Sequence, residues 1–523
     1  MVPSTLFTER FSVAKKWLED CENKHEECLE HALVFENDHK SNLPTRVIDL
    51  QGLAEFMSVC LVVHSRPGPT WGRYVALSHR WPIGSCSWVT TEENLQARMN
   101  RLSISSLPQT LQDCIYIVDH LGIRYLWIDS ICIIQDSAAD WEIESSQMTD
   151  IYGGATMTIF ADGAADDNAG MIRPRANSHE SRLITNDDGS FERLVNRSLL
   201  STRAWIFQER FMSRRILHIT SEQMMWECRS CHIAESAPSS LQNGAPWLEG
   251  LVKTLRGVIL SQSALMDYWP RLVEEYTQRK LTLGKDKLPA LSGLAKYIAT
   301  RTKDSTSEDY IAGMWSENLK TDLLWESSWD DPDHLPRRPS EWRAPTWSWA
   351  SIDGPVVYSK ADTILQNDED FEPTYGGVGD PHVTLRGRDP YGQITAASLL
   401  LKGDARWVKV SRPSENPSLL QSQWEIYSPS EPTTRIGIFT QDVEGEVPLD
   451  GIAMCLRAAH SDTLGSICLI LAPVEIDGEP AGIFYRRIGI GSLELGVDSE
   501  ADWDVLDFIL EDLGQYPPNH PPS

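Results

Sequence analysis

Between Tyr74 and Ala161 short apolar runs alternate with amphipathic stretches. Tyr74-Val75-Ala76-Leu77-Ser78 reads as a buried strand. Leu107, Leu111, Cys114, Ile115, Val118 and Leu121 recur at the spacing of one helical face, and Gly122 is placed to stop that helix. Residues 125–128 predict a second strand. Ser137 can cap a helix running to about Tyr152, and 156–160 predict a third strand after Gly153-Gly154. The order β-α-β-α-β predicts a short parallel sheet with flanking helices and right-handed crossovers. Upstream, a helix over 12–33 would carry Trp17, Cys21, His25, Cys28 and Ala32 on one stripe that some other element must cover.

Downstream of Ala237 the pattern turns helical, with Trp269, Leu272, Val273 and Tyr276 on one stripe and a second stripe over 288–298. Pro- and Asp-rich stretches at 329–339, 362–389 and 411–434 predict flexible segments. From Ile394 onward short β-like runs such as Ile436-Gly437-Ile438-Phe439 predict an antiparallel sheet. The resulting plan is an N-terminal helical segment (1–70), an α/β domain (71–237), a helical and Trp-rich segment (238–360), a flexible linker (361–393), a mainly β region (394–510) and a disordered tail (511–523). The fold class is therefore α/β followed by an α+β C-terminal region.

A chain of 523 residues exceeds what one hydrophobic core supports, which agrees with that division. A net charge of −28 repels long nucleic acids and anionic bilayers, while a small phosphorylated ligand can still be held by a local pocket. The first residues lack a secretory apolar core and no window reaches the length of a membrane span, so a cytoplasmic location is expected. In that setting the ten cysteines are expected as free thiols. Many of the 19 tryptophans sit beside Ser, Pro and Arg, as in Pro345-Thr346-Trp347-Ser348-Trp349, which suggests anchoring in irregular regions more than plain core filling.

Cys21, His25 and Cys28, with His31 nearby, have spacings that a zinc ion can use, since i, i+4 and i+7 face one direction, but a tetrahedral site wants a fourth ligand and a second shell, and helix packing accounts for the same residues. No metal and no cofactor are assigned. Cys228-Arg229-Ser230-Cys231-His232 matches a c-type haem attachment string, but nothing else in the chain suggests export, and free structural cysteines are the preferred reading. Phosphate loops, hydrolase elbows and the zinc-protease motif are absent.

Ligands on open parallel sheets bind beyond the carboxyl ends of the strands. Those ends deliver Ser78, His79, Arg80 and Trp81, then Asp129, Ser130 and Cys132, then Asp162. On the helix after the second strand, Glu144 falls in the same stripe as Trp141, Met148, Ile151 and Tyr152, whereas Glu142 does not. An inward carboxylate needs a partner or a pocket. Arg80, Arg124 and Arg203 are the candidate partners, and a functional role is the alternative. Arg203, Glu209, Arg210 and Arg215 are expected to form an internal ion-pair network, with Gln208 and Glu209 at a pocket edge.

The runs Tyr74-Val75-Ala76-Leu77-Ser78-His79-Arg80-Trp81, Trp127-Ile128-Asp129-Ser130-Ile131-Cys132-Ile133-Ile134-Gln135-Asp136, Asp140-Trp141-x-x-Glu144 and Arg203-Ala204-Trp205-x-x-Gln208-Glu209-Arg210 resemble the blocks of the fungal heterokaryon incompatibility (HET) domain. Tyr310-x-Ala312-Gly313-x-Trp315 and Pro345-Thr346-Trp347-Ser348-Trp349-Ala350 resemble segments that accompany such domains. The resemblance implies a cytosolic fungal protein of non-self recognition and programmed cell death. A remoter resemblance to TIR domains implies an NAD glycohydrolase, with Glu144 catalytic and Ser78, Arg80, Trp81 and Asp129 binding NAD as substrate. Arg203, Trp205, Gln208, Glu209 and Arg210 would be the structural motif. A self-associating or partner-binding module is the non-enzymatic alternative, and a thiol hydrolase using Cys132 with His79 the remaining enzymatic one.

Overall fold

The computed structural model describes residues 5–29, 41–64, 71–82, 84, 86–172, 188–237, 242–243, 262–300, 307–361, 372–373, 375–379, 381–413, 422–474, 484–494 and 503–512. The chain divides into two compact units, Met1–Leu260 and Ser261–Ser523.

In the first unit the three expected strands form, as β3 (Tyr74–Ser78), β5 (Tyr125–Ile128) and β6 (Met157–Phe160), preceded by β1 (Arg46–Asp49) and β2 (Ser58–Val63), with β4 (Leu102–Ser103) between β3 and β5. β7 (Arg215–Ile219), β8 (Met224–Cys228), β9 (Cys231–Ala234) and β10 (Gln242–Asn243) complete one sheet of order β10-β9-β8-β7-β6-β3-β5-β1-β2-β4. Its centre, β5-β3-β6-β7, is parallel, because these apolar strands are covered on both faces. Both flanks are antiparallel, so the expected parallel sheet is the middle of a mixed one. The expected helical segment 1–70 likewise gives two of its strands, β1 and β2, to this sheet.

The helix after β3 runs Gln109–His120 and ends where Gly122 adopts φ 75°. The expected single helix from Ser137 is two: Ala138–Ser146 and Met148–Gly154, separated at Gln147, and the Ser137 side chain makes no capping bond. The inward stripe holds across that break. Glu144, Met148, Ile151 and Tyr152 are all buried.

The N-terminal helix α1 spans Thr5–Lys24, and a short α2 follows at Glu26–Leu29, in place of one helix over 12–33; His31 and Ala32 lie outside the described residues. Its apolar stripe is covered as the pattern requires, with Trp17 beside Trp226 of β8 (6.5 Å between rings) and Phe7 edge-on to His120.

The second unit starts with helices Gln262–Thr277 and Pro289–Ala299, matching the two expected stripes. Its strands β11 (Ile394–Ser411), β12 (Gln423–Tyr427), β13 (Arg435–Gln441), β14 (Ile452–Ser461), β15 (Gly465–Pro473) and β16 (Phe484–Leu493) pair in the order β14-β15-β16-β13-β12-β11. β11 also pairs with β14, so the antiparallel sheet closes into a barrel. Val408, Ile426, Phe439, Cys455, Cys468, Ile470 and Ile488 fill its interior. A further strand, Asp504–Asp512, pairs with β11 and reaches into the expected tail.

Two stretches expected to be flexible are built into this unit. Strands Glu372–Pro373, Tyr375–Val378 and His382–Leu385 lie within the expected linker 361–393. Within 329–339, Arg338 is buried and forks onto Glu446 at 2.9 and 3.0 Å. The tryptophans here are both core and anchors. Trp269, Trp325, Trp347 and Trp349 are fully buried, and each indole N–H donates to a backbone carbonyl.

Candidate functional site

The chain runs from β3 to β5 on one side of β3, then crosses to β6 on the other, so the direction of winding reverses at β3. Such a reversal opens a crevice beyond the carboxyl ends of the strands. The structure places there Ser78, His79, Arg80 and Trp81 after β3, Asp129 after β5, and the segment 161–167 after β6.

His79 organises these ends. Its Nδ1 meets Asp167 and its Nε2 lies 2.8 Å from Asp129 Oδ1, with the ring buried. Burial by itself lowers the imidazole pKa, but the charges of Asp167 and Asp129 outweigh it and hold His79 up to about 10. His79 is therefore an imidazolium between two carboxylates. For Asp129, burial alone raises the pKa, and the His79 charge overrides that and keeps it below the usual carboxylate range. The Trp81 indole donates to Asp129 Oδ2 at 3.0 Å and the Ser130 N–H to Oδ1 at 2.7 Å. Arg203 Nη1 donates to the His79 carbonyl at 2.6 Å, which ties the start of the later motif to the first strand end.

Around this network lies a half-buried rim. Trp81, Trp141 and Trp205 belong to it, the last two edge-to-face at 6.5 Å, with Arg80, Asp129 and Arg203 between them in the chain segments that converge here. Arg80 has no hydrogen-bond or ion-pair partner among the described residues. Aromatic faces, guanidinium groups and one fixed carboxylate are the equipment that holds a ribose- and phosphate-bearing ligand.

Beneath the rim, Glu209 is buried and pushed up to about 7, mainly by burial, against the relief offered by the Ser78 hydroxyl, with the Asp129 charge adding to the rise. It is the group poised near neutrality, and it belongs to the segment expected to be structural.

Glu144 lies behind the rim and is 1% exposed. It pairs with Arg46 of β1, at 3.4 Å, where Arg80, Arg124 and Arg203 were the expected partners. Arg46 also binds Asp140 and the carbonyl of Cys132, so this buried cluster fastens the segment after β5, the one that carries Asp129, to β1.

The expected internal network of the later motif has different partners. Arg210 donates to Glu227 at 2.9 Å and to Asn196 at 2.9 Å. Glu227 in turn meets His218 at 3.0 Å, and His218 meets Asp162 at 2.8 Å. Asp162 is thus committed to a buried chain under β7 and β8 rather than to the crevice. Arg215 turns away to Cys21 and the Thr156 carbonyl. Trp205 stands on the rim, while Gln208 is buried in the same helix. The geometry does not suit a thiol hydrolase that uses Cys132 with His79. Cys132 is fully buried and pushed up to about 12 by desolvation, and both His79 nitrogens are occupied by carboxylates.

Sequence reasoning missed Asp167, Arg46 and Glu227. The acidic residues Asp162, Asp166 and Asp167 directly after a strand end were the available signal for Asp167; the other two lie on strands and carry none.

An α/β domain with an aromatic and cationic rim at its sheet's switch point is thus defined by the fold. Residues 74–209 match the family model described as Heterokaryon incompatibility protein (HET), and the chain carries a domain of that family. No curated protein and no solved structure gives a match. No helix among the described residues is long and apolar enough to cross a membrane.

Proposed function

We propose that the protein acts in fungal non-self recognition and programmed cell death, and that its HET domain does so by cleaving the nicotinamide–ribose bond of NAD. The observation that carries the chemical part is the Asp129 carboxylate. It is held ionised by the His79 charge with Arg203 adding to the effect, accepts from the Trp81 indole and is partly open to solvent at the switch point.

The reaction asks little of the protein. The C1′–N1 bond breaks with its electron pair going to the ring nitrogen, so an already cationic nicotinamide leaves neutral and no general acid is required. Water adds to C1′ and loses a proton. One carboxylate near the ribose stabilises the oxocarbenium-like transition state, as one of the pair does in ordinary glycoside hydrolysis. Asp129 suits that role. Trp81 and Trp141 offer stacking faces, and Arg80 and Arg203 can meet the diphosphate. Glu144, which the TIR resemblance makes catalytic, is a positioning residue in this reading, because its Arg46 pair and burial keep it off the rim.

NAD conversion by the full chain and by its Asp129→Asn and Glu144→Gln variants tests the assignment. Turnover is expected to vanish in folded Asp129→Asn. Glu144→Gln is expected to retain KM while kcat falls with the loosening of the segment after β5. The opposite ranking returns the catalytic role to Glu144, and wild-type activity in both removes Asp129 and Glu144 from the chemistry.

A further inference from the structure

Cys21 and His25 lie at and just beyond the end of α1, Cys28 in α2 and Cys228 at the end of β8; the family match begins after the first three and ends before the last. In an unbroken helix Cys21 and Cys28 would stand about 10 Å apart along the axis, too far to share one ion. The helix breaks at His25. The His25 N–H reaches the Cys21 carbonyl at 3.3 Å and the Cys28 N–H the His25 carbonyl at 3.0 Å, and this tightened turn folds Cys28 back. As a result the Sγ atoms of Cys21, Cys28 and Cys228 and a ring nitrogen of His25 all lie within 4.8 Å of one another. His25 Nδ1 to Cys228 Sγ is 3.4 Å. A tetrahedral zinc with ordinary bond lengths places nitrogen and sulfur ligands about 3.5 Å apart and two sulfurs about 3.8 Å apart.

We propose that Cys21, His25, Cys28 and Cys228 bind one structural zinc ion. The surroundings suit its charge. Three thiolates and a neutral imidazole around Zn²⁺ leave one net negative charge, and the buried Arg215 guanidinium donates its Nε to Cys21 Sγ at 3.2 Å, with Nη2 3.5 Å from the Cys28 carbonyl. A buried arginine set against a sulfur is costly unless that sulfur is charged. Ser230 Oγ lies 3.7 Å from Cys28 Sγ, in the β8–β9 turn that also brings Cys231 Sγ to 3.7 Å from Cys228 Sγ. Three cysteines and one histidine, with no carboxylate, favour zinc over magnesium or calcium. The ion would clamp the N-terminal helix to the far flank of the sheet, closing the domain from outside the matched segment.

The test is metal analysis of the full chain, purified without a polyhistidine tag or chelator. One zinc per chain is expected, released by a mercurial thiol reagent. His25→Ala and Cys228→Ser are expected to lose it, and Cys86→Ser, outside the cluster, to keep it. Because the cysteine variant can fail to fold, wild-type protein from cobalt-supplemented cells provides a second reading, with visible d–d bands of a tetrahedral site and a near-ultraviolet thiolate-to-cobalt band expected. Folded protein with no stoichiometric metal and no such bands overturns the proposal. So does iron with cluster absorption, or a Cys228–Cys231 disulfide in the purified chain.

Discussion

Replacing Asp167 by Asn leaves the shape of the His79 site and removes one of the two charges that hold the imidazolium. Keeping His79 at about 10 against its ordinary 6.5 corresponds to about 5 kcal/mol of preference for the charged form, at about 1.4 kcal/mol per pH unit. Asp167 is the larger of the two opposing charges, so its removal is expected to cost about 3 kcal/mol. The folded-state pKa is raised, so this stabilisation is complete below about pH 6.5 and is lost as pH rises towards about 10. Pulse proteolysis across a urea series, followed on fragments of the N-terminal unit, reads the gap between wild type and Asp167→Asn without assuming that both units unfold together. The gap should be full near pH 6 and below about 1 kcal/mol near pH 9.5. A gap of equal size at both values would mean that the His79 proton does not set it and that the carboxylate–imidazolium account of the site is wrong.

Glu209→Gln works in the opposite sense. Its carboxyl is raised to about 7, so the wild-type protein loses stability as pH climbs from about 4.5 to 7, and the variant should be more stable above pH 7 by about 1–3 kcal/mol and no better near pH 4.5, measured by the same urea series. In the second unit Arg487 is fully buried, forks onto Asp442 at 2.9 and 3.1 Å and lies over the Trp325 ring. Arg487→Met strands the Asp442 charge and should cost about 3–5 kcal/mol in denaturant unfolding, and adding Asp442→Leu should recover much of that loss.

What the sequence discloses follows from the range of the interactions involved. β3, β5 and β6 are continuous apolar runs bounded by turns, so local pattern finds them, and the inward placement of Glu144 follows from helical geometry alone. Arg46 does not announce itself, because β1 is a four-residue run whose pairing with β5 is long-range. The same limit hides Cys228 from Cys21, His25 and Cys28. Their spacing was visible, while the break at His25 and the strand that supplies the fourth group are products of the whole sheet. Closure of the barrel depends on β11 pairing at both of its edges, a register that no alternation of polar and apolar residues specifies. The expected linker misled for a different reason: its Gly, Asp and Pro content signals turns, and the short strands between those turns are too brief to leave a pattern.

The central claim is that the rim at the ends of β3, β5 and β6 is a working site. The most direct measurement is chromatographic detection of nicotinamide and ADP-ribose after incubating NAD with the folded full chain, dilute and concentrated, beside Asp129→Asn. Products formed by the wild type and absent with the variant are the predicted result. No product from the well-folded wild type at either concentration would contradict the claim and leave the domain as a self-associating or partner-binding module.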